Sequence, residues 1–297
     1  MAGEFLAKIE AEGAAASTIS KNKWLLADLA APLANRPIAE ITAAEILDLL
    51  KRIEKSGRRE TARRLRGVMG TVFRLAVVTL RATSDPTQAI QGALLRANTK
   101  PRAAITDEKQ FGGLLRAIDE YDGWPTIKAA LQFSALTFAR PGEVRGATRS
   151  EINFDKAVWR VAAERTKMRR PHDVPLSRQA LAVLKDIWPM SDHCELVFPS
   201  IRSNQRPLSE NAFNSALRRM GYAQEEMSAH GFRSSASTIL NENGFNADVI
   251  EAALGHQAEN AIRRAYNRAV YWPERIALMQ KWADMLDAFK CDAVARY

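Results

Sequence analysis

An arginine, a His-x-x-Arg motif, a second histidine and a tyrosine stand in this order in the second half of the chain. They are Arg140, His230, Arg233, His256 and Tyr266. Cleavage of a phosphodiester by a protein nucleophile needs an attacking oxygen, stabilisation of the charge on the phosphorane, a proton for the departing sugar oxygen, and positioning. Arginine suits the second task because its planar fork grips phosphate oxygens and keeps its charge. Tyrosine suits the first because its phenolate leaves readily, so that the covalent link is reversible. The set predicts phosphodiester chemistry.

Each of these residues has a plainer interpretation when it is taken alone. Arg140 can cap the end of a helix, and Tyr266 in a helix is most often half-buried packing. A His-x-x-Arg pair is usually a polar surface, and a lone hairpin lysine such as Lys167 is normally solvated. Their joint occurrence in this order, in a basic and helical context, favours the catalytic interpretation.

The ordered motifs resemble those of the tyrosine recombinases, or phage-type integrases. The similar motifs are Arg140-Pro-Gly-Glu for the first arginine box, Thr-Lys167 for the hairpin lysine, His-Gly-Phe-Arg233 for the His-x-x-Arg box, Leu-Gly-His256 for the second histidine, and Tyr266-Asn-Arg for the nucleophile. Together with a tail at 275–284 that resembles integrases of prophages and genomic islands, they cover residues 140–284. Residues 17–100 match only in their helical, basic character.

The resemblance implies a covalent mechanism. Tyr266 attacks the scissile phosphate to give a 3′-phosphotyrosyl link and a free 5′-hydroxyl, while Arg140 and Arg233 hold the non-bridging oxygens. Strand exchange then runs through a four-way junction on a homotetramer bound to double-stranded core sites, with an accessory DNA-bending protein as a further candidate partner. The resemblance implies neither a metal nor any other cofactor.

The remaining residues of the set receive supporting roles from the same resemblance. Lys167 protonates the leaving 5′-oxygen, His230 assists proton transfer, and His256 hydrogen-bonds the phosphate. Glu143, one turn after the first arginine, orients a catalytic partner.

The sequence departs from the family pattern in two ways. The family usually has glycine or another small residue two positions before the first arginine, whereas this chain has Phe138. Integrases of this type also commonly carry an N-terminal domain that binds arm sites. No such domain is visible before Phe5, so we expect it to be absent from this sequence.

Three other functions compete with a recombinase. A type IB topoisomerase uses similar chemistry and relaxes DNA without exchanging partners, and only a requirement for paired specific sites separates the two. A DNA-binding protein that has lost activity need not retain the whole set. A helical scaffold with incidental basic residues requires the matches to be accidental.

The elements that must hold these side chains predict a mainly α fold with a small antiparallel β-hairpin or sheet, an α+β class. Predicted helices lie at 17–31, 42–53 and around 65–76, and then at 106–121, 126–138, 178–187, 211–220, 230–241, 247–254 and 273–289. The only predicted hairpin joins 158–161 to 172–176 and carries Lys167 at its tip. The last helix is apolar enough to dock on its own domain or on a neighbouring protomer, and the sequence leaves this open.

The 297 residues are too many for one ordinary core and fit two domains. A polar, proline-containing stretch predicts a linker at about 97–105. We expect a helical core-DNA-binding domain at 1–100 and a catalytic domain at 101–297, placed on two faces of the DNA as a clamp.

One helix of the first domain combines a buried stripe with a row of arginines. The row consists of Arg59, Arg63, Arg66 and Arg74, with two glycines nearby. Arginine forks match phosphate oxygens and glycine permits close approach, so this face can bind the DNA backbone. A solvated surface explains it equally well.

Composition narrows the class of partner. The formal net charge of +9 and the pI near 9.7 indicate a polyanion. Residues 1–100 carry 16 Lys+Arg against 10 Asp+Glu, and residues 101–297 carry 27 against 24, so most of the excess lies in the first third. Two cysteines favour a reducing compartment, and the chain has neither a secretory signal nor an apolar run of membrane-spanning length. We therefore expect a cytoplasmic protein without a membrane partner.

The motifs of several other enzyme classes are missing from the sequence. It has no Gly-x-x-x-x-Gly-Lys-Ser/Thr loop, which argues against ATP-driven chemistry. The four histidines and two cysteines show no zinc spacing. The sequence also lacks the cluster of Asp and Glu residues that is typical of a two-metal nuclease.

Overall fold

The computed structural model describes residues 1–96, 102–192, 194–256 and 271–292. The chain divides into two compact units, Met1–Lys100 and Pro101–Tyr297. Both are largely helical, and the strands are few, short and antiparallel. The predicted α+β class is confirmed. Much of the predicted linker, residues 97–101, lies outside the described residues.

The first unit is a small helical bundle. Its helices are α1 (Ala2–Ala11), α2 (Ala16–Trp24), α3 (Ala43–Lys55) and α4 (Arg59–Val78), with a π-helical turn at Leu25–Leu29 and 3₁₀ turns at Ala31–Leu33 and Ile38–Glu40. The predicted helix 17–31 is therefore α-helical only to Trp24, continues as the π-helical turn to Leu29 and is followed by the 3₁₀ turn that contains Pro32. Helix α1, to which the sequence analysis assigned no structure, packs through buried Phe5 against Leu26 and Val72.

Helix α3 begins where its capping box predicts. The Glu45 backbone N–H donates to the Thr42 hydroxyl at 3.3 Å, and the Thr42 N–H donates to the Glu45 carboxylate at 2.9 Å. The helix buries Ile46 and Leu50 against Leu65 of α4, which forms the centre of this unit's core. The regular apolar stripe predicted for α4 is confirmed.

The second unit contains eight helices among its described residues. They are α5 (Glu108–Asp119), α6 (Pro125–Thr137), α7 (Pro141–Arg145), α8 (Arg178–Ile187), α9 (Ala212–Arg219), α10 (Gly231–Glu242), α11 (Ala247–Ala253) and α12 (Trp272–Asp292). Short 3₁₀ turns lie at Arg149–Glu151, Ala163–Arg165 and Trp188–Ser191. Within the part of the chain that is described, no helix is both long and apolar enough to cross a membrane.

Two small antiparallel sheets complete this unit. Strands β1 (Ile152–Asn153), β2 (Val158–Val161) and β3 (His172–Pro175) form the first, and β4 (Pro199–Ser200) and β5 (Ser203–Pro207) form the second. The predicted hairpin is the β2–β3 pair, in which Val161 lies opposite His172. The prediction of a single hairpin is wrong, because β4–β5 is a second one. Its two prolines and its lack of alternation hid it from the sequence pattern.

Helix α6 is the centre of the second core. Ala130, Leu131 and Phe133 are fully buried in it, and the Phe133 ring lies 5.3 Å from that of Trp159 in β2. Helix α12 packs along the same core through residues that include fully buried Trp282, whose indole N–H donates to the carbonyl of Ala135 at 2.9 Å. The last helix therefore docks on its own unit, which answers the question that the sequence left open.

Trp282 caps the end of α6, since Ala135 is among the carbonyls that the last helical turn leaves without an intrahelical donor. We expect Trp282→Phe to lower the free energy of unfolding by about 1–3 kcal/mol, because a buried carbonyl loses its donor. Trp282→Ala should cost about 3–5 kcal/mol, because a cavity is added. Denaturant unfolding measures both. Ile276→Ala, on the exposed side of α12, is the control and should change stability by less than about 0.5 kcal/mol. A Trp282→Phe value equal to that of the control would contradict the capping role.

Candidate active site

Helix α6 ends in a left-handed residue that redirects the chain. Phe138 has φ +39° and ψ +28° and is completely buried. This conformation costs about 1–2 kcal/mol for a residue with a side chain. The Phe138 ring recovers energy by packing edge-on against Trp282 at 6.2 Å. The large residue that departs from the family pattern thus occupies a turn that favours glycine, and its burial keeps it there.

Arg140 leaves this turn as the N-cap of α7 and is paired with Glu143. Its backbone N–H donates to one oxygen of the Glu143 carboxylate at 3.1 Å, and Nη1 of its guanidinium donates to the other at 2.9 Å. The Glu143 side chain is only 3% exposed, so the carboxylate is held in place by burial. The guanidinium is thereby oriented by the helix that follows it. The supporting role of Glu143 in catalysis stays a prediction.

Arg233, in the first turn of α10, joins the ends of two other helices. Its Nη1 donates to the carbonyl of Phe138 at 3.2 Å, and its Nη2 donates to the carbonyl of Leu254 at the end of α11. Burial, followed by the like charge of Arg140, lowers the pKa of Arg233 to about 10. The group remains protonated at neutral pH. It is a half-buried cation beside a second cation, which is a setting that an anion would stabilise.

His256 is placed by the end of α11. Gly255 has φ +61°, its N–H donates to the carbonyl of Ala252, and the His256 N–H donates to the carbonyl of Glu251, both at 3.0 Å. This is the Schellman arrangement of a helix end. The imidazole Nε2 lies 2.9 Å from Arg233 Nη2, and Nδ1 lies 2.8 Å from the Glu251 carboxylate. Because arginine only donates, Nε2 accepts and Nδ1 carries the proton that is donated to Glu251.

His230 precedes α10 and faces a group of cations. Its side chain is exposed, yet the surrounding protein still desolvates the ring, and this lowers its pKa to about 4. Four positive charges act in the same direction: Arg102, Arg233, Arg140 and Lys167. His230 is therefore neutral at neutral pH and can accept a proton.

Lys167 lies exposed in the connection between β2 and β3, near the tip as predicted. Thr166 beside it is buried, and its hydroxyl lies 2.8 Å from the carbonyl of Arg170 and accepts the Arg170 N–H at 3.0 Å, so the turn closes on itself. Lys167 lies close enough to His230 for its charge to lower the pKa of that imidazole, as the charges of Arg140 and Arg233 do. Tyr266 lies outside the described residues.

Arg102 belongs to this cationic group, although the sequence analysis placed it in the linker. Only burial exceeds its effect on the pKa of His230. The neighbouring carbonyl of Ala103 accepts a hydrogen bond from the Ser228 hydroxyl at 3.0 Å, which attaches this segment to the turn before α10. The basic Lys-Pro-Arg sequence could have marked Arg102 as a candidate site residue. Its distance from His230 along the chain, however, gave no reason to place the two side chains together.

His172, at the start of β3, supports the end of α11 from beneath. Its Nε2 lies 3.2 Å from the carbonyl of Ala253, and a Cβ added to Gly255 would lie 3.1 Å from the ring. Burial, followed by the charge of Arg275, lowers the pKa of His172 to about 4. The ring is neutral and can donate from Nε2 to Ala253. Within the described residues, no group of three His, Cys, Asp or Glu side chains is placed to hold a metal ion.

The four arginines proposed to face DNA lie along α4 in the first unit. Arg59 and Arg63 are exposed, whereas Arg66 donates to the carbonyl of Thr87 at 3.3 Å and Arg74 lies 3.4 Å from Asp85. The added Cβ of Gly67 would meet open space, so this glycine is not required by packing. Two of the arginines therefore hold the 85–87 segment, and the other two lie exposed on the surface near Glu54 and Glu60.

Gly255→Ala tests how the position of His256 is set. A side chain at φ +61° costs about 1–2 kcal/mol, and the new Cβ would also press on His172. Gly244→Ala is the matched control, because Gly244 has φ +75° with open space around it and loses only the conformational preference. We expect Gly255→Ala to lower the free energy of unfolding by more than Gly244→Ala does, as measured by denaturant unfolding. Equal losses of unfolding free energy in the two variants would show that the contact between residue 255 and His172 is not tight enough to affect stability.

The lowered pKa of His172 predicts a pH dependence of stability. The unfolded chain protonates this imidazole near 6.5, but the folded chain does so only near 4. Between these values the unfolded state binds more protons, so stability falls as the pH drops from about 6.5 to about 4. His172→Phe should have a shallower dependence over this range, as measured by denaturant unfolding at a series of pH values. Parallel profiles for the two proteins would contradict a half-buried imidazole that stays neutral in the folded protein.

The sequence matches two family models over most of its length. Residues 105–271 match the phage integrase family, and residues 1–93 match the phage integrase central domain. The protein IntB of Escherichia coli K12 is 38% identical over 280 residues, which cover 89% of this chain and 70% of that protein. The integrase of Enterobacteria phage P4 is 35% identical over 265 residues, covering 84% of this chain and 60% of that protein. The chain thus spans 60–70% of the length of these relatives.

The fold is similar to that of lambda integrase. A lambda integrase (75–356) dimer bound to a COC′ core site has a TM-score of 0.69 at 18% identity, with 86% of this chain and 94% of that chain covered. A lambda integrase tetramer bound to a Holliday junction has a TM-score of 0.68 at 17% identity, with 88% and 77% covered. The structural similarity to lambda integrase establishes the fold, and the matches to the two family models establish the family. The chain belongs to the phage integrase family of tyrosine recombinases.

Proposed function

We propose that this chain is a site-specific DNA recombinase that integrates or excises a mobile element through a covalent 3′-phosphotyrosyl intermediate. The observation that carries the proposal is the convergence of Arg140 and Arg233 on one site, with His230, His256 and Lys167 around them. The repulsion between these positive charges raises the free energy of the folded protein unless an anion is bound among them. The phosphate of DNA is such an anion.

The two arginines are proposed to hold the non-bridging oxygens of the scissile phosphate. Glu143 takes one donor of Arg140, and two carbonyls and His256 fix Arg233. The forks are therefore oriented before DNA arrives, so little reorganisation is needed in the transition state. His256 would shift its contact from Arg233 to a phosphate oxygen.

Proton transfer is proposed to use a neutral and a charged group. Tyr266 attacks phosphorus, its phenolic proton passes to neutral His230, and the P–O5′ bond breaks. Lys167 gives its proton to the departing 5′-oxygen, and rejoining reverses each transfer. A bound phosphate raises the pKa of His230 because its negative charge favours the imidazolium. Each step uses side chains of the protein, and we propose that no metal takes part.

We propose different functions for the two units. Residues 1–100 would be the core-DNA-binding domain and residues 101–297 the catalytic domain. A lambda integrase tetramer is known on a Holliday junction, and we propose a homotetramer on core sites here, with an accessory DNA-bending protein as a possible helper. With DNA as its substrate, the protein would act in the cytoplasm at the bacterial nucleoid.

Covalent trapping on a nicked suicide DNA with the cognate core site tests this proposal. The wild type should give a denaturant-resistant adduct, and Tyr266→Phe should give none while binding the same DNA. A two-site recombination assay then separates a recombinase from a topoisomerase. DNA binding without an adduct from the wild type would favour a pure binding protein. An adduct from Tyr266→Phe would show that another residue is the nucleophile.

Two arginine variants should fail in different ways. Arg233→Ala should reduce cleavage by at least about 100-fold, because it removes a donor to the charge of the transition state, with a much smaller change in DNA affinity. Arg63→Ala should weaken binding to all sequences alike and flatten its salt dependence, since a phosphate contact carries no sequence information. Titration of core and unrelated DNA at several salt concentrations measures both affinities. Unchanged binding after replacement of both Arg59 and Arg63 would reject a DNA-facing α4.

A further inference from the structure

The lysine in the proposed mechanism stands on an element that needs support. Lys167 is an exposed side chain in the ten-residue connection, residues 162–171, between β2 and β3. A general acid must reach one leaving oxygen, and a misplacement of about 1 Å can cost about 100-fold in rate. The contacts at the two ends of this connection therefore decide how well the lysine is held.

Arg165 fastens the first end to α7. Its Nη2 donates to the backbone carbonyl of Glu143, and its Nη1 pairs with the carboxylate of Glu151. That carboxylate is itself fixed, since it accepts the indole N–H of Trp159 at 3.0 Å. An added Cβ on Gly146 would lie 3.2 Å from the Arg165 guanidinium, so glycine leaves room for this close approach.

Glu143 therefore contacts two arginines, one through its carboxylate and one through its backbone carbonyl. Its carboxylate orients Arg140, and its carbonyl accepts Arg165, which precedes Lys167 by two residues. One short helix therefore links the phosphate-binding arginine to the start of the lysine connection.

His172 fastens the second end to α11. Its imidazole contacts the carbonyl of Ala253 and packs under Gly255, the residue that places His256. Between the two ends, the Thr166 hydroxyl closes the turn onto Arg170. The connection is thus held against α7, whose N-cap is Arg140, and against α11, whose end leads to His256.

We propose that Arg165 and His172 are positioning residues that fix the two ends of the Lys167 connection against α7 and α11, so that the lysine reaches the leaving 5′-oxygen. The inference rests on the proposed function and deepens it. Neither residue touches the reacting atoms. Their loss should affect the proton-transfer step that Lys167 performs and leave phosphate binding largely intact.

A change of leaving group separates this role from a general structural one. Replacing the bridging 5′-oxygen with sulfur makes the leaving group a thiolate, whose conjugate acid ionises near pH 8.5 and needs no general acid. Lys167→Ala should be slow on ordinary DNA and close to wild type on the sulfur substrate. Arg165→Lys and His172→Phe should lose on the order of 10- to 100-fold on ordinary DNA and regain most of it on the sulfur substrate, as measured by single-turnover cleavage.

The variants are chosen to fold and to be compared with matched controls. Arg165→Lys keeps the charge opposite Glu151. A single ammonium group, however, cannot bind the Glu151 carboxylate and the Glu143 carbonyl at the same time as the guanidinium does. His172→Gln keeps an N–H donor and should restore part of the rate that His172→Phe loses. Arg160→Gln removes an exposed arginine whose ion pair with Asp173 also joins β2 to β3, so it controls for a general loosening of the hairpin and should leave cleavage of both substrates unchanged. Thermal unfolding verifies that each variant is folded.

The outcomes distinguish the inference from the function beneath it. Selective rescue of the Arg165 and His172 variants by sulfur supports the inference. Equal slowing on both substrates, or no slowing on ordinary DNA, overturns it while the proposed function stands. A wild type that binds the site and cleaves neither substrate overturns the proposed function, and the inference with it.

Discussion

The hydrogen bonds of Arg233 are the constraint on which the rest of the site depends. One guanidinium donates to Phe138 at the end of α6 and to Leu254 at the end of α11. Carbonyls at helix ends lack intrahelical donors and carry the negative end of the helix dipole, so they stabilise this half-buried cation. The same bonds fix the turn that leads to Arg140 and the turn that leads to His256. Removing this side chain would loosen both.

These contacts hold like charges together before any substrate is present. Arg140 lowers the pKa of Arg233, and both arginines and Lys167 lower that of His230. The folded protein carries this cost because the carboxylate of Glu143 and the helix-end carbonyls offset it. The surplus positive charge becomes favourable only when an anion enters, which is the physical basis of a preorganised phosphate site. Stability and function therefore make opposite demands at this place.

The sequence was sufficient for the residue types and their order, and insufficient for what holds them. Periodicity and caps located α3, α4 and the β2–β3 hairpin, and the spaced motifs selected the site residues that the structure brings together. The supporting contacts were out of reach, since His172 meets Ala253 across 81 positions and Arg165 meets Glu143 across 22. Phe138 was visible only as a departure, because its left-handed turn depends on burial against Trp282.

The most direct test of the account is a crystal structure of the protein without DNA, soaked with tungstate as a phosphate analogue that anomalous scattering can locate. The account predicts one tungstate within hydrogen-bonding distance of the guanidinium groups of both Arg140 and Arg233, with the Arg140–Glu143 pair intact. The ion should be lost from the site in Arg233→Ala crystals. A tungstate bound elsewhere, or an unoccupied site with the two guanidinium groups turned apart, would contradict a preformed phosphate site.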